Sequence, residues 1–441
     1  MTENALAREI TPISLIRFTL PSICMMVFIG IYTIVDTIFV ARFVNALGLS
    51  TMTICAPVIY ATVGLASMLA TGGSAIIGRK MGAGDDEGAH KTFSMIIVAG
   101  IALSAIIMAV GLPLHEPLLR TLGATDELMA QCKSYLVIML SFTFANMLSV
   151  LFQVSFIVAG RPTIGFTLGI IAGLLNILLD YIFIVPLQMG VAGAALATSL
   201  GYLSVTIAGL IFFSKRGGVL HFVRPALKWR ELLESCINGS SEMVSLLSTA
   251  VTTFLFNKIM LELIGVDGVA AVAVMLFSQF LFTSIYIGFS IGVAPLFSYA
   301  YGSNDSDRLR KLLSMSLGFI AIASVTLFAV AMLFGRDIAQ IFAPTTPSVY
   351  KLVAACFTIF PISFLFSGFN IFTSALFTAL SNGKVSALLS FLRTLVFIVV
   401  ALKALPELFS ILGVWLAVPA AEFCTLILAI VLIIRLGRSH S

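Results

Sequence analysis

The chain has 441 residues, of which 60% are hydrophobic and 10% charged, and its mean hydropathy is +1.11. Ordinary soluble domains carry about 25% charged residues, so this composition excludes a soluble globular fold and defines a polytopic helical membrane protein. The net charge of +5 is a matter of topology, and no nucleic acid is expected as a partner.

Met1 to Thr11 is polar, and the apolar stretch after it is too long for a cleavable signal. Twelve spans follow at about 13–41, 52–78, 93–112, 128–158, 163–185, 190–213, 235–262, 268–300, 312–334, 348–380, 385–404 and 410–434. Most Lys and Arg residues collect on the side that also holds the termini. By the positive-inside rule both termini are expected in the cytoplasm of a multi-pass protein of the inner membrane. The longest polar connector separates six spans from six. The expected organisation is a lobe over 1–213, a cytoplasmic linker over 214–234 and a second lobe over 235–441.

The halves repeat. Gly72 to Asp85 (GGSAIIGRKMGAGD) aligns with Gly292 to Asp305 (GVAPLFSYAYGSND), and Gly160 and Gly190 align with Gly383 and Gly413. Six spans per half make the repeat parallel, an arrangement common in transporters. The polar residues do not repeat: Asp180 aligns with Lys403, and Asp36 has no acidic counterpart.

In the first span, Pro21 removes one backbone hydrogen bond and can kink the helix. Tyr32 and Asp36 share a helix face. Asp36 reads either as a helix-end acid pairing with Arg42 or as part of an ion site. Asp180 lies within the apolar run Thr163 to Val185. A carboxylate there costs roughly 2.5–3.5 kcal/mol on insertion scales and normally faces a bundle interior or a watery cavity. Asn176 and Gly165, Gly169 and Gly173 continue its face, so one stripe of this helix is small and polar. Asp180 is either a polar packing contact or, preferably, a solute or ion site. Two acids in one cavity would bind a proton or share a cation. Thr198, in the small-residue opening of the sixth span, is placed to join them.

Other intramembrane polar groups are candidates for a substrate cavity. Glu242 reads as an acid at the start of the seventh span meeting the helix dipole, or as a cavity charge that attracts cations. Gln153, Asn257 and Gln279 are intramembrane amides. Arg393 and Glu422 lie at similar depth and are expected to form a structural pair. The six cysteines are scattered, with no CxxC, and the histidines fall in loops or the tail, so no metal site is expected. There is no GxxxxGK[ST], which disfavours an ATP-driven pump, and no hydrolytic constellation at membrane depth.

Several segments resemble the multidrug and toxic compound extrusion (MATE) family, in its MepA-like prokaryotic branch. They are Pro21 with Tyr32-xxx-Asp36-xx-Phe-Val, the turn Gly-Arg-Lys-Met-Gly-Ala-Gly-Asp, Ala-Gly-Arg-Pro before the fifth span, Leu-Asn-xxx-Leu-Asp-Tyr, and Gly-Val-Ala-Gly-Ala-Ala-Leu-Ala-Thr. The resemblance implies a V-shaped pair of six-helix bundles working by alternating access. It implies export of organic, mostly cationic compounds in exchange for H+ or Na+. It carries the N-lobe ion site onto Asp36, Asn176, Asp180 and Thr198, with Tyr32 and Tyr135 nearby, and the helix bend onto Pro21. Ile29 stands where some relatives have an amide. The tenth span has no acid of the kind the NorM branch uses, and Asn370 is its nearest polar candidate.

The expectation is an all-α secondary antiporter, not an enzyme, monomeric, without a cofactor beyond its coupling ion. The rival readings are a lipid-linked oligosaccharide flippase of the same superfamily and a non-transporting receptor.

Overall fold

A computed structural model describes residues 5–44, 46–215, 217–342 and 347–439. Among the described residues the chain is helical throughout and contains no strand. The first half comprises α1 (Pro12–Phe43), α2 (Ala46–Gly82), α3 (Asp86–Thr121), α4 (Asp126–Ser141), α5 (Thr143–Val158), α6 (Pro162–Ile184) and α7 (Gly190–Ser214). The second comprises α8 (Trp229–Leu263), α9 (Val266–Gly302), α10 (Ser306–Phe342), α11 (Pro347–Cys356), α12 (Phe364–Ala379), α13 (Gly383–Phe391), α14 (Phe397–Phe409) and α15 (Ile411–Ser439).

Eleven of the described helical stretches are long and apolar enough to cross a membrane, and the bent pair α4–α5 makes a twelfth. The expected span 128–158 is therefore two helices meeting at 51° beside Phe142. The tenth span is broken by a 3-10 turn over Phe360–Ser363, where Pro361 cannot donate a backbone hydrogen bond. The eleventh joins α13 to α14 through a π-helical segment, Leu392–Val396. α1 is helical on both sides of Pro21.

In lipid the hydrophobic effect gives helices no reason to associate, so close van der Waals contact has to do so. The stripe on α6 shows how. Its buried residues are Pro162, Gly165, Gly169, Gly173, Asn176, Asp180 and Ile184, one every third or fourth position. Ile171, Leu174, Leu178 and Tyr181 are exposed on the other side, where lipid would lie. Gly169 faces Met25, and Gly173 faces Phe28 and Tyr32. The contacts advance together along both chains, so α1 and α6 run side by side in the same direction.

The two halves meet most closely at the end rich in Lys and Arg. A Cβ on Gly72 of α2 would fall 1.9 Å from the Ser235 carbonyl oxygen of α8, and one on Gly239 of α8 would fall 1.9 Å from that of Met68. Ion pairs surround this contact. Arg79 meets Glu234 at 2.9 Å and Lys80 meets Glu231 at 2.5 Å. Thr92 also donates to Glu231. Arg308 donates to the carbonyls of Leu6, Ala7 and Arg8, which ties the N-terminal segment to α10.

Much of the phenylalanine is packing material. Phe93, Phe152, Phe156 and Phe213 form a buried cluster in the first half. Phe289, Phe297, Phe360, Phe364 and Phe372 lie buried in the second.

Candidate functional site

Four helices of the first half bring polar groups to one place. α1 contributes Tyr32 and Asp36, α4 Tyr135, α6 Asn176 and Asp180, and α7 Thr198 and Tyr202. The glycine contacts place α6 against α1 at Tyr32, so Asp36, one turn on, comes level with Asp180. The two carboxyl groups are direct side-chain neighbours. Asp180 is 0% exposed and Asn176 4%. Asn176 donates through Nδ2 to Thr198 Oγ1 at 3.3 Å. Tyr32 and Tyr202 are side-chain neighbours within the cluster. Tyr135 is buried beside both acids.

The decisive feature is what this cluster lacks. Among the described residues no N–H or O–H donor reaches either oxygen of Asp180, or Oδ1 of Asp36. Asn176 Oδ1 is likewise buried without a partner. Ionised carboxylates are acceptors only, so these two cannot satisfy each other unless a proton or cation lies between them. The nearest donor described, Asn176 Nδ2, is directed to Thr198 and not to Asp180. Nor does Asp36 pair with Arg42, whose guanidinium lies over the Phe43 ring at 6.0 Å.

The second half holds a separate polar cluster. Arg393 Nε lies 3.0 Å from Glu422 Oε1 and 3.1 Å from Oε2. Asn370 Nδ2 donates to Glu422 Oε2 at 2.6 Å and to the Glu422 carbonyl at 2.9 Å. Glu242 lies close enough to Arg393 for their charges to interact. α8 begins at Trp229, so Glu242 is about three and a half turns inside it and is no helix-start acid. Asn370 is 0% exposed and stands in this cluster. Gln153, Asn257 and Gln279 are half-buried on α5, α8 and α9. None of the three makes a side-chain hydrogen bond among the described residues. Among those residues no group of three or more His, Cys, Asp or Glu side chains could hold a metal.

Tyr202 is the member that sequence reasoning missed. Its signal was available, since it lies four residues after Thr198 and shares that face of α7. The charge interaction of Glu242 with Arg393 carried no sequence signal, because the two lie on different helices about 150 residues apart in the chain.

This fold and these clusters define a polytopic membrane transporter. The MatE family model matches residues 21–182 and 243–402, one segment in each half. The chain belongs to the MatE family, the MATE multidrug efflux transporters. It is 27% identical over 420 residues to the multidrug export protein MepA of Staphylococcus haemolyticus, covering 93% of this chain and 91% of that protein. It is 26% identical over 433 residues to MepA of Staphylococcus aureus strain MRSA252, covering 97% and 94%. A MATE protein solved in complex with MaL6 superposes with a TM-score of 0.92 at 23% identity over 97% of each chain. An outward-facing multidrug resistance MATE transporter of the MOP superfamily gives 0.92 at 23% identity over 97% of this chain and 96% of that one.

Proposed function

We propose that this chain exports small organic cations across the cytoplasmic membrane in exchange for an inward-moving ion, which binds at Asp36 and Asp180. The observation that supports this reading is the direct approach of two carboxyl groups, Asp180 fully buried and Asp36 half-buried, with both oxygens of Asp180 and Oδ1 of Asp36 out of reach of any donor among the described residues. One proton held between them would satisfy both, and H+ is the coupling ion this geometry favours. Na+ is the second reading, favoured by the free oxygen of Asn176 and the hydroxyl of Thr198, which add hard oxygen ligands to the carboxylates.

The two halves act as lobes around the closure at the basic end. With the termini in the cytoplasm, as the charge bias supports, that end is the inner gate. Opening it inward separates Gly72 from Gly239 and breaks the Arg79–Glu234 and Lys80–Glu231 pairs. Ion occupancy at Asp36 and Asp180 would favour one access state and substrate the other, since a ligand shifts an equilibrium only by its differential affinity. The acids of both clusters, Asp36, Asp180 and Glu242, suit a cationic substrate better than the pyrophosphate of a lipid-linked sugar.

The test is counterflow or efflux of a cationic dye in proteoliposomes, with proton and sodium gradients imposed separately. Flux driven by one gradient and abolished in Asp180→Asn supports the antiporter and names its ion. Active vesicles in which neither gradient drives dye movement would sink it.

A further inference from the structure

We propose that the groove between the start of α8 and the start of α13 is a binding site for an anionic phospholipid with a glycerol headgroup. Gly383 makes the groove possible. A Cβ there would fall 2.2 Å from the Cα of Asn238, so only glycine lets the first turn of α13 settle onto α8. Beside this contact is a cavity of about 350 Å³.

Arg230 and Lys384 both line the cavity, and among the described residues neither forms an ion pair. Glu234, the acid on the same wall, is held by Arg79 at 2.9 Å. The free charge facing the groove is therefore positive. The first turn of α13, Gly383 and Lys384, adds backbone N–H groups that have no helical acceptor.

A second observation points to the ligand's chemistry. Asn238 is 2% exposed, and its Nδ2 donates to the Thr378 carbonyl at 2.8 Å. Its Oδ1 is buried without a donor, as is the hydroxyl of Ser381, which sits in the left-handed region at φ 60. Both residues line the cavity. A phosphodiester satisfies cations and N–H groups but gives Asn238 Oδ1 no hydrogen. A headgroup hydroxyl provides one.

Apart from the exposed Asn382, the remaining lining is apolar and exposed. Leu233 and Ile237, one turn apart on α8, are 51% and 41% exposed; Trp229, one turn before Leu233 and just outside the groove, is 76% exposed. An exposed Trp flanked by Lys228 and Arg230 fits the headgroup level of a bilayer. A soluble anion would have no use for the apolar strip, whereas an acyl chain would follow it. The site therefore matches an amphiphile, charged at Arg230 and Lys384 and apolar along Leu233 and Ile237.

The protein has two Trp residues, and Trp415 is fully buried, so Trp229 can report on its lipid neighbours. The full-length protein would be placed in phosphatidylcholine nanodiscs containing phosphatidylglycerol with brominated acyl chains. Stronger quenching by brominated phosphatidylglycerol than by brominated phosphatidylcholine is expected. Arg230→Gln and Lys384→Gln should each weaken the preference about fivefold, and Arg224→Gln, outside the groove, should not. Phosphatidylmethanol, which has the same charge and no headgroup hydroxyl, should bind more weakly than phosphatidylglycerol, and Ser381→Ala should narrow that difference. Equal quenching by the two brominated lipids, or equal loss in Arg224→Gln, would overturn the proposal. Displacement by millimolar glycerol 3-phosphate would replace it with a soluble phosphoester site.

Discussion

Gly82 and Gly302 hold the same place in the two halves of the sequence, and each lies against the other's helix. A Cβ on Gly82 would fall 2.0 Å from the Tyr299 carbonyl oxygen, and one on Gly302 would fall 1.9 Å from that of Arg79. Tyr299 and Arg79 are themselves equivalent positions of the repeat. Two equivalent helices thus meet across a pseudo-two-fold axis, and the contact is backbone against backbone.

Gly302→Ala is therefore expected to disfavour the closed basic end. The methyl has no flexible neighbour to displace, and overpacking of this kind costs roughly 1–3 kcal/mol. Cys236, half-buried on α8 next to Ser235 at the Gly72 contact of the same closure, is the reporter. With Cys24 and Cys424 replaced by serine, its labelling by a charged maleimide should rise several-fold in Gly302→Ala. Unchanged labelling would show that the α2–α9 contact is not the closure.

Asp180→Asn should fold as well as the unmodified protein, because it removes one of two facing carboxylates that have no donor between them. Ion-driven flux should fall at least tenfold while dye still binds. Proton release on dye binding, read with a pH indicator in weak buffer, should fall with it. Normal coupled flux in this variant would make Asp180 a structural residue.

Tyr202→Phe tests the group that the sequence did not point to. It deletes one hydroxyl facing Tyr32 and no packing volume. A hydrogen bond formed between the two neighbouring hydroxyls during the transport cycle would contribute about 0.5–1.5 kcal/mol, so a two- to tenfold loss of coupled flux with unchanged expression is expected. Tyr32→Phe should match it, and the double variant should add little, since both remove the same contact. Additive losses would place the two hydroxyls in separate roles.

Arg393 and Glu422 form the buried ion pair of the second half, with side chains 15% and 4% exposed. Arg393→Met alone should destabilise the protein by about 3–5 kcal/mol, because Glu422 is left charged and buried. The double change Arg393→Met with Glu422→Leu should recover most of that loss. Thermal unfolding in detergent is the readout. Recovery of stability without recovery of transport would assign Arg393 a task beyond the pair, through its charge interaction with Glu242.

The helices could be read from the chain alone, because bilayer thickness dictates segment length and composition reports it directly. The buried face of α6 could be read too. Small and polar residues at every third or fourth position from Gly165 to Asp180 leave only one side able to meet another helix. The repeat was equally plain, since Gly82 and Gly302 sit in segments similar enough to align.

Contacts between distant segments were not readable in this way. Asp36 and Asp180 become neighbours only through the register of α1 on α6, set by Gly169 on Met25 and Gly173 on Phe28 and Tyr32. The break at Phe142, the π-helical turn that contains Arg393, and the seating of Gly383 on Asn238 are also local responses to packing. Local pattern reports which face of a helix is buried. The partner and depth of that face depend on side chains far away in sequence, and only the assembled bundle brings them together.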